Sequence, residues 1–233
     1  MPNSITWVSA RVLLWFCWEY LIEYKIFAFI FRKSFWIMTE RVIRSVAVFC
    51  GSNFGASGEY ELAAKMLSST LAKEKITIVY GGTTKGLMGV VANAALEHGG
   101  IVHGIVTEYL HQIGQSHPSL TQHEITADLR ARKERMIRLA DAFIILPGGI
   151  GTIEELMEVW SMNQLEEIDK PVGLLNVNGF FSSFLDFIDH MIDSGFLPSA
   201  HKQSISVATS PSGLLIKLRE FKKIEVPKWI EAR

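Results

Sequence analysis

The sequence predicts a doubly wound, Rossmann-like α/β fold, a parallel sheet with helices on both faces. Short apolar runs recur along the chain, with helical segments between most of them. Runs such as AFIILP at 142–147 are apolar on both sides of the pleat, as parallel strands become when helices cover both faces. Glycine-rich turns follow two of the runs where a helix begins, at the carboxyl ends of strands, where such sheets gather their functional loops.

Strands are expected at 45–49, 77–80, 101–106, 123–126, 142–146, 172–176 and 203–207. The recurring strand and helix order favours right-handed crossovers and one core. At 233 residues and 48% apolar composition the chain can bury such a core. Residues 1–37 stand apart. They are crowded with aromatic and apolar side chains, yet Arg11, Glu19, Glu23 and Lys25 interrupt every long apolar run. A spanning helix needs about 20 mostly apolar residues, and a signal peptide needs a small-residue cleavage region. Residues 1–37 therefore read as a dispensable aromatic-rich extension, with membrane-surface adhesion as the alternative, and residues 38–233 as a single domain.

The strand at 77–80 runs into YGGTTKGLMG, and KGLMGVVANAALEHGG reads as a helix ending at Gly99 and Gly100. Glycine there frees the backbone, and Thr83 and Thr84 offer hydroxyls to an anion. Lys85 beside the helix start reads as solvent-facing. The connection at 107–122 is long enough to be a lid or specificity loop, or equally a surface excursion. The segment 127–141, ADLRARKERMIRLAD, reads as a helix whose apolar stripe is Leu129, Met136, Leu139 and Ala140. Arg132 or Lys133 interrupts that stripe, which aims a cation at the sheet edge or at a partner, and Arg132 could pair with a ligand phosphate or with Glu155. Snorkelling from a partly buried helix is the plainer account. Arg130, Arg135 and Arg138 are placed nearer water.

The next strand leads into PGGIGTIEE at 147–155, where three glycines join strand to helix and two carboxylates follow. Unpaired backbone N–H groups and the field of a helix N-terminus suit a phosphate. Thr152 and Glu155 also have capping-box spacing, a structural account that needs no chemistry. Neither glycine turn matches GxGxxG or GxxxxGK[ST], which leaves the dinucleotide fingerprint and the triphosphate P-loop without support.

Other classes find little support. The histidines at 98, 103, 111, 117, 123, 190 and 201 form no metal-binding spacing and read as surface or loop residues, so no metal and no cofactor is expected. Cys17 and Cys50 give no disulfide framework, in keeping with a reducing cytoplasm. A net charge of −1 supplies no drive toward nucleic acid.

Taken together, GGTTKGLMG, the Arg132-Lys133 pair, PGGIGTIEE and CGSN at 50–53 resemble the Lonely Guy family of nucleoside 5'-monophosphate phosphoribohydrolases, often labelled lysine decarboxylase-like. The resemblance runs from about residue 42 to residue 218 and includes PVGLLNVNGF. It implies hydrolysis of the N-glycosidic bond of AMP or a cytokinin riboside monophosphate to free base and ribose 5-phosphate, by a homodimer. It also implies that Arg132 and Glu155 are the catalytic pair, with Gly81, Gly82, Thr83, Gly148, Gly149, Gly151 and Thr152 at the phosphate and ribose. Lys133 and Ser52 would be supporting polar groups, and Met136 would lie against the base. A non-catalytic nucleotide-binding module is the alternative. The chemistry agrees independently: a carboxylate beneath the ribose can stabilise an oxocarbenium-like state or orient water. Glu155 is the choice for that task. Glu154 points about 100° away around the helix, and Glu158 shares the side of Glu155.

Overall fold

A computed structural model describes residues 40–224; the expectations for residues 1–37 lie outside the described residues. Seven strands form one parallel sheet: β1 (Ser45–Phe49), β2 (Thr77–Tyr80), β3 (Val102–Thr107), β4 (Gln122–Thr126), β5 (Ala142–Ile145), β6 (Val172–Leu175) and β7 (Ile205–Ala208). Their order is β4-β3-β2-β1-β5-β6-β7, so the winding reverses between β1 and β5. Every residue of β3, β5 and β6 is buried, which is why β5 and β6 read as continuous apolar runs.

Alternate side chains feed two separate apolar clusters. Val46 and Val48 of β1 join Ile78, Tyr80 and Ile144 on one face, covered by α1 (Gly58–Lys73), α2 (Gly86–Glu97) and α7 (Pro211–Glu220). Ala47 and Phe49 join Val79, Phe143 and Ile145 on the other, covered by α4 (Leu129–Leu139), α5 (Ile150–Gln164) and α6 (Ser182–Asp193). Two covered faces are what a doubly wound sheet requires. Among the described residues no helix is long and apolar enough to cross a membrane.

The structure departs from the sequence reading in places that matter for the site. The connection after β3 runs over the surface but is tied down along its length. It opens with the short helix α3 (Glu108–Gln112), whose Leu110 amide donates to the Thr107 hydroxyl at 3.3 Å. Ser116 then bridges Thr83, and the His117 amide donates to the Gly82 carbonyl at 2.9 Å, pinning the connection to the glycine turn after β2. Helix α4 starts two residues later than expected because Asp128 caps it, accepting from the Ala131 amide at 2.8 Å. Leu129, placed on the buried stripe from the sequence, is instead 60% exposed at the first helical position. Arg135, on the wetter side as expected and 37% exposed, makes two bonds to Glu124, Nε to Oε2 at 2.7 Å and Nη2 to Oε1 at 2.8 Å. Glu124 on β4 also faces the buried His103, at 2.8 Å.

Candidate active site

Ligands of open α/β sheets bind outside the strand carboxyl ends where the winding reverses. Here that place lies between the loops that follow β1 and β5. The Gly51 amide donates to the Pro147 carbonyl at 3.1 Å, and the Leu87 amide donates to the Gly51 carbonyl at 3.0 Å, lacing the three loops that follow β1, β2 and β5. Gly86 makes the second contact feasible. Its φ is +49°, and a methyl group there would collide with the backbone of Ser52 and Asn53. A cleft of about 150 Å³ opens at this junction, lined by residues 51–55 and 147–149 together with Leu87, Tyr60 and Phe180.

Helix α5 presents its N-terminus here. Its N-cap is Gly149, which has no side chain to satisfy the first-turn N–H groups, so these donors remain for a ligand or water. The capping-box reading of Thr152 and Glu155 is therefore corrected. Thr152 is the third helical residue and buried, its hydroxyl against Gly148, where an added Cβ would collide with it. The first turn holds no acidic residue, and Glu155 lies in the second turn. A glycine can cap a helix by backbone conformation alone, which let α5 start three residues earlier than a threonine cap would.

The carboxylate and the guanidinium meet between α4 and α5. Arg132 Nη1 stands 3.6 Å from Glu155 Oε1, and each side chain is 12% exposed. Arg132 Nε donates to the Ile105 carbonyl at 3.0 Å, which fixes the fork against β3. Gly81 makes room for it: a methyl group at that position would collide with the guanidinium. Burial pushes the Glu155 carboxyl up to about 7; Arg132 and Lys133 pull against this, and Glu154 and Glu158 add to it. A carboxyl held near neutrality can carry or accept a proton at working pH.

Lys133 turns to α5 as well, toward Glu154 and, at 3.0 Å, Glu158 Oε2. Burial lowers its pKa, but the bonds to these carboxylates outweigh that and hold it above the ordinary lysine value.

The glycine turn after β2 behaves differently from its sequence reading. Gly82 needs its glycine, with φ of +73° and Ile105 backbone atoms close to where a Cβ would stand. Thr83 is 4% exposed, with its hydroxyl directed at Met88 Sδ at 3.7 Å rather than outward, while Thr84 is exposed. Met136 is fully buried among Phe49, Val79 and Ile105. In this chain it is core, not a wall of the cleft.

The sequence-derived residues thus fall into two adjoining groups. Ser52, Gly148 and Gly149 line the cleft, with Gly151 exposed in the first turn of α5, while Gly81, Arg132 and Glu155 form the charged pair and its seat. Sequence reasoning missed Tyr60 and Phe180, whose rings meet edge to face at 5.8 Å beside the cleft. Phe180 follows the turn at Asn178 and Gly179, both with positive φ, and only the NGF triplet hinted at it. The histidine reading is also corrected: His103, His117 and His201 are buried, although no group of metal-holding side chains occurs among the described residues.

The fold and this site define a Rossmann-like α/β protein with a candidate anion cleft at the reversal of the sheet and a buried carboxylate–guanidinium pair next to it. The family model described as "Possible lysine decarboxylase" matches residues 88–218. A cytokinin riboside 5'-monophosphate phosphoribohydrolase of Arabidopsis thaliana is 40% identical over 184 residues, covering 79% of this chain and 86% of the relative. A probable phosphoribohydrolase of the same kind from Oryza sativa subsp. japonica is 40% identical over 198 residues, 83% of this chain and 81% of the relative. The chain belongs to the cytokinin riboside 5'-monophosphate phosphoribohydrolase family. The molybdenum cofactor carrier protein of Chlamydomonas reinhardtii shares the fold, with a TM-score of 0.57 at 19% identity over 76% of this chain and 96% of that one.

Proposed function

We propose that this protein hydrolyses the N-glycosidic bond of a nucleoside 5'-monophosphate, AMP or a cytokinin riboside monophosphate, giving free base and ribose 5-phosphate. The observation that carries this reading is the Arg132–Glu155 pair, 3.6 Å apart and mostly buried beside laced glycine turns, in a chain of this family.

Each part has a physical task. The phosphate sits on the uncapped N–H groups of α5 at Gly149, Gly151 and Thr152, with Gly148 and the Ser52 hydroxyl beside it. Gly81 and Gly82 let the ribose approach the backbone, and Thr83 contributes through its main chain. Water attacks C1' as the C1'–N bond breaks, and positive charge builds on the ribose ring. Glu155 as carboxylate stabilises that charge and accepts the proton of the water, while the base leaves with its bonding electron pair and takes up a proton. Arg132 holds the phosphate or a ribose hydroxyl, so that binding remote from the reacting bond aligns it. The protein acts as a homodimer in the cytoplasm, with no metal or cofactor.

The test is a panel of purine, pyrimidine and cytokinin riboside monophosphates, with the matching nucleosides and lysine as controls. Base and ribose 5-phosphate in equal amounts from a monophosphate, with none from its nucleoside, support the reading. Binding without free base supports a nucleotide-binding module instead, and carbon dioxide release from lysine overturns the hydrolase.

A further inference from the structure

The connection between β3 and β4 carries a buried histidine that the proposed chemistry does not use. His117 is 7% exposed, and both of its ring nitrogens are bonded. The Ser119 amide stands 3.2 Å from Nδ1 and can only donate, so Nδ1 accepts and the ring proton sits on Nε2. Nε2 then donates to Asn93 Oδ1 on α2 at 2.9 Å. Burial lowers the pKa of the ring, in keeping with that neutral form.

The same residue reaches the turn after β2 through its main chain, where its amide donates to the Gly82 carbonyl at 2.9 Å. Gly82, with φ of +73°, has no side chain of its own to hold the turn. Leu120 and Thr121 fasten the far end of the connection over β3, Leu120 against Gly104 and the Thr121 hydroxyl by accepting from the Val102 amide at 3.2 Å. His117 fastens its middle to α2. Beside Gly82, Gly81 packs so closely on the Arg132 guanidinium that an added Cβ would collide with it. Movement of this turn therefore displaces Arg132, and surface connections are ordinarily the mobile parts of a fold.

We infer that His117 is a positioning residue for the hydrolysis proposed above: its ring, bound to Asn93 and to the Ser119 amide, holds its own amide on the Gly82 carbonyl and so fixes the turn that seats Arg132. The inference rests on that proposed reaction, but its first readout does not.

Hydrogen exchange of the Arg132 Nε–H, identified by its loss in Arg132→Lys, is followed by NMR in the ligand-free protein. The wild type is compared with His117→Ala and with His117→Gln, whose amide nitrogen still donates to Asn93. The Ala variant exchanges this proton at least about tenfold faster, and the Gln variant stays within about threefold of the wild type. In turnover of the best monophosphate from the panel, His117→Ala lowers kcat about tenfold with KM within about threefold, and His117→Gln recovers most of the loss. Adding Asn93→Ala to His117→Ala costs nothing further, because the two side chains act as one link. Should His117→Ala fail to fold, Asn93→Ala, at an exposed position, carries the test, moving exchange and kcat the same way by at least about threefold. Unmoved exchange and kcat in the folded variant, with thermal stability alone reduced, overturn the inference and leave His117 a core histidine. So does a KM raised about tenfold at unchanged kcat, which would make it a substrate contact. A wild type that hydrolyses nothing on the panel refutes the reaction, while the exchange rates still decide whether His117 fixes Arg132.

Discussion

Arg132 Nη1 lies 3.6 Å from Glu155 Oε1, and the arginine is held there by the Ile105 carbonyl and by the absent side chain of Gly81. The pair is therefore seated by β2 and β3 as much as by its own helices. Gly81→Ala should displace the guanidinium and reduce kcat/KM by about a hundredfold, close to the effect of Arg132→Ala. Both variants should weaken binding of an unreactive monophosphate analogue by calorimetry. Loss of thermal stability alone in Arg132→Ala, with turnover intact, would leave the arginine a structural cation.

Glu155 should write its titration into both activity and stability. With the carboxyl at about 7, kcat/KM of the free enzyme should fall about tenfold per pH unit below neutrality, as the ionised form is lost. The folded pKa is raised above the unfolded value, so the folded state binds more protons between roughly pH 4.5 and 7, and stability declines as pH rises through that window. Glu155→Gln has no such titration. Its stability relative to wild type should grow by on the order of 2–3 kcal/mol between pH 4 and pH 8, measured by urea unfolding. A parallel pH dependence in the two proteins would mean that Glu155 titrates as an ordinary surface carboxyl.

Much of this was legible in the chain. All seven strands fall within two residues of their expected positions, and for β5 and β6 the reason is burial on both faces, which forces continuous apolar runs that need no tertiary information. The glycine turns were legible for a related reason, since close backbone approach demands specific residue types, and the Arg132–Glu155 pair through the break in the apolar stripe and the family resemblance. Orientation was not. Thr83 and Thr152 carry hydroxyls that suit an anion by type, yet one faces Met88 and the other Gly148, decisions made by packing after the turns are set. His103 looked like a surface residue because its partner Glu124 lies on another strand and the arginine that completes the trio lies on α4.

Thr83 separates side-chain from main-chain recognition. Because its hydroxyl points at Met88 Sδ, Thr83→Val should keep KM for the monophosphate within about threefold and stability within about 1 kcal/mol. Ser52→Ala, at an exposed position in the cleft, should raise KM by about tenfold. The reverse ranking, read from steady-state kinetics, would place the Thr83 hydroxyl on the phosphate.

Residues 38–233 should suffice for function. Every group assigned a role lies beyond Ser45, so a chain starting at Met38 should match the full chain in turnover and, by light scattering, run at about twice its own mass. Vesicle binding confined to the full chain would give residues 1–37 a membrane role. A folded but inactive shortened chain would place part of the active assembly in them.

Single-turnover release of adenine from AMP, or of base from the best monophosphate on the panel, is the most direct measurement of the whole account. It compares wild type with Glu155→Gln at pH 8 and saturating enzyme. The wild type should convert bound nucleotide fully to base and ribose 5-phosphate. The variant should bind the same nucleotide with similar affinity and release base at least about a thousandfold more slowly. Comparable rates in the two proteins would remove Glu155 from the chemistry and contradict the account.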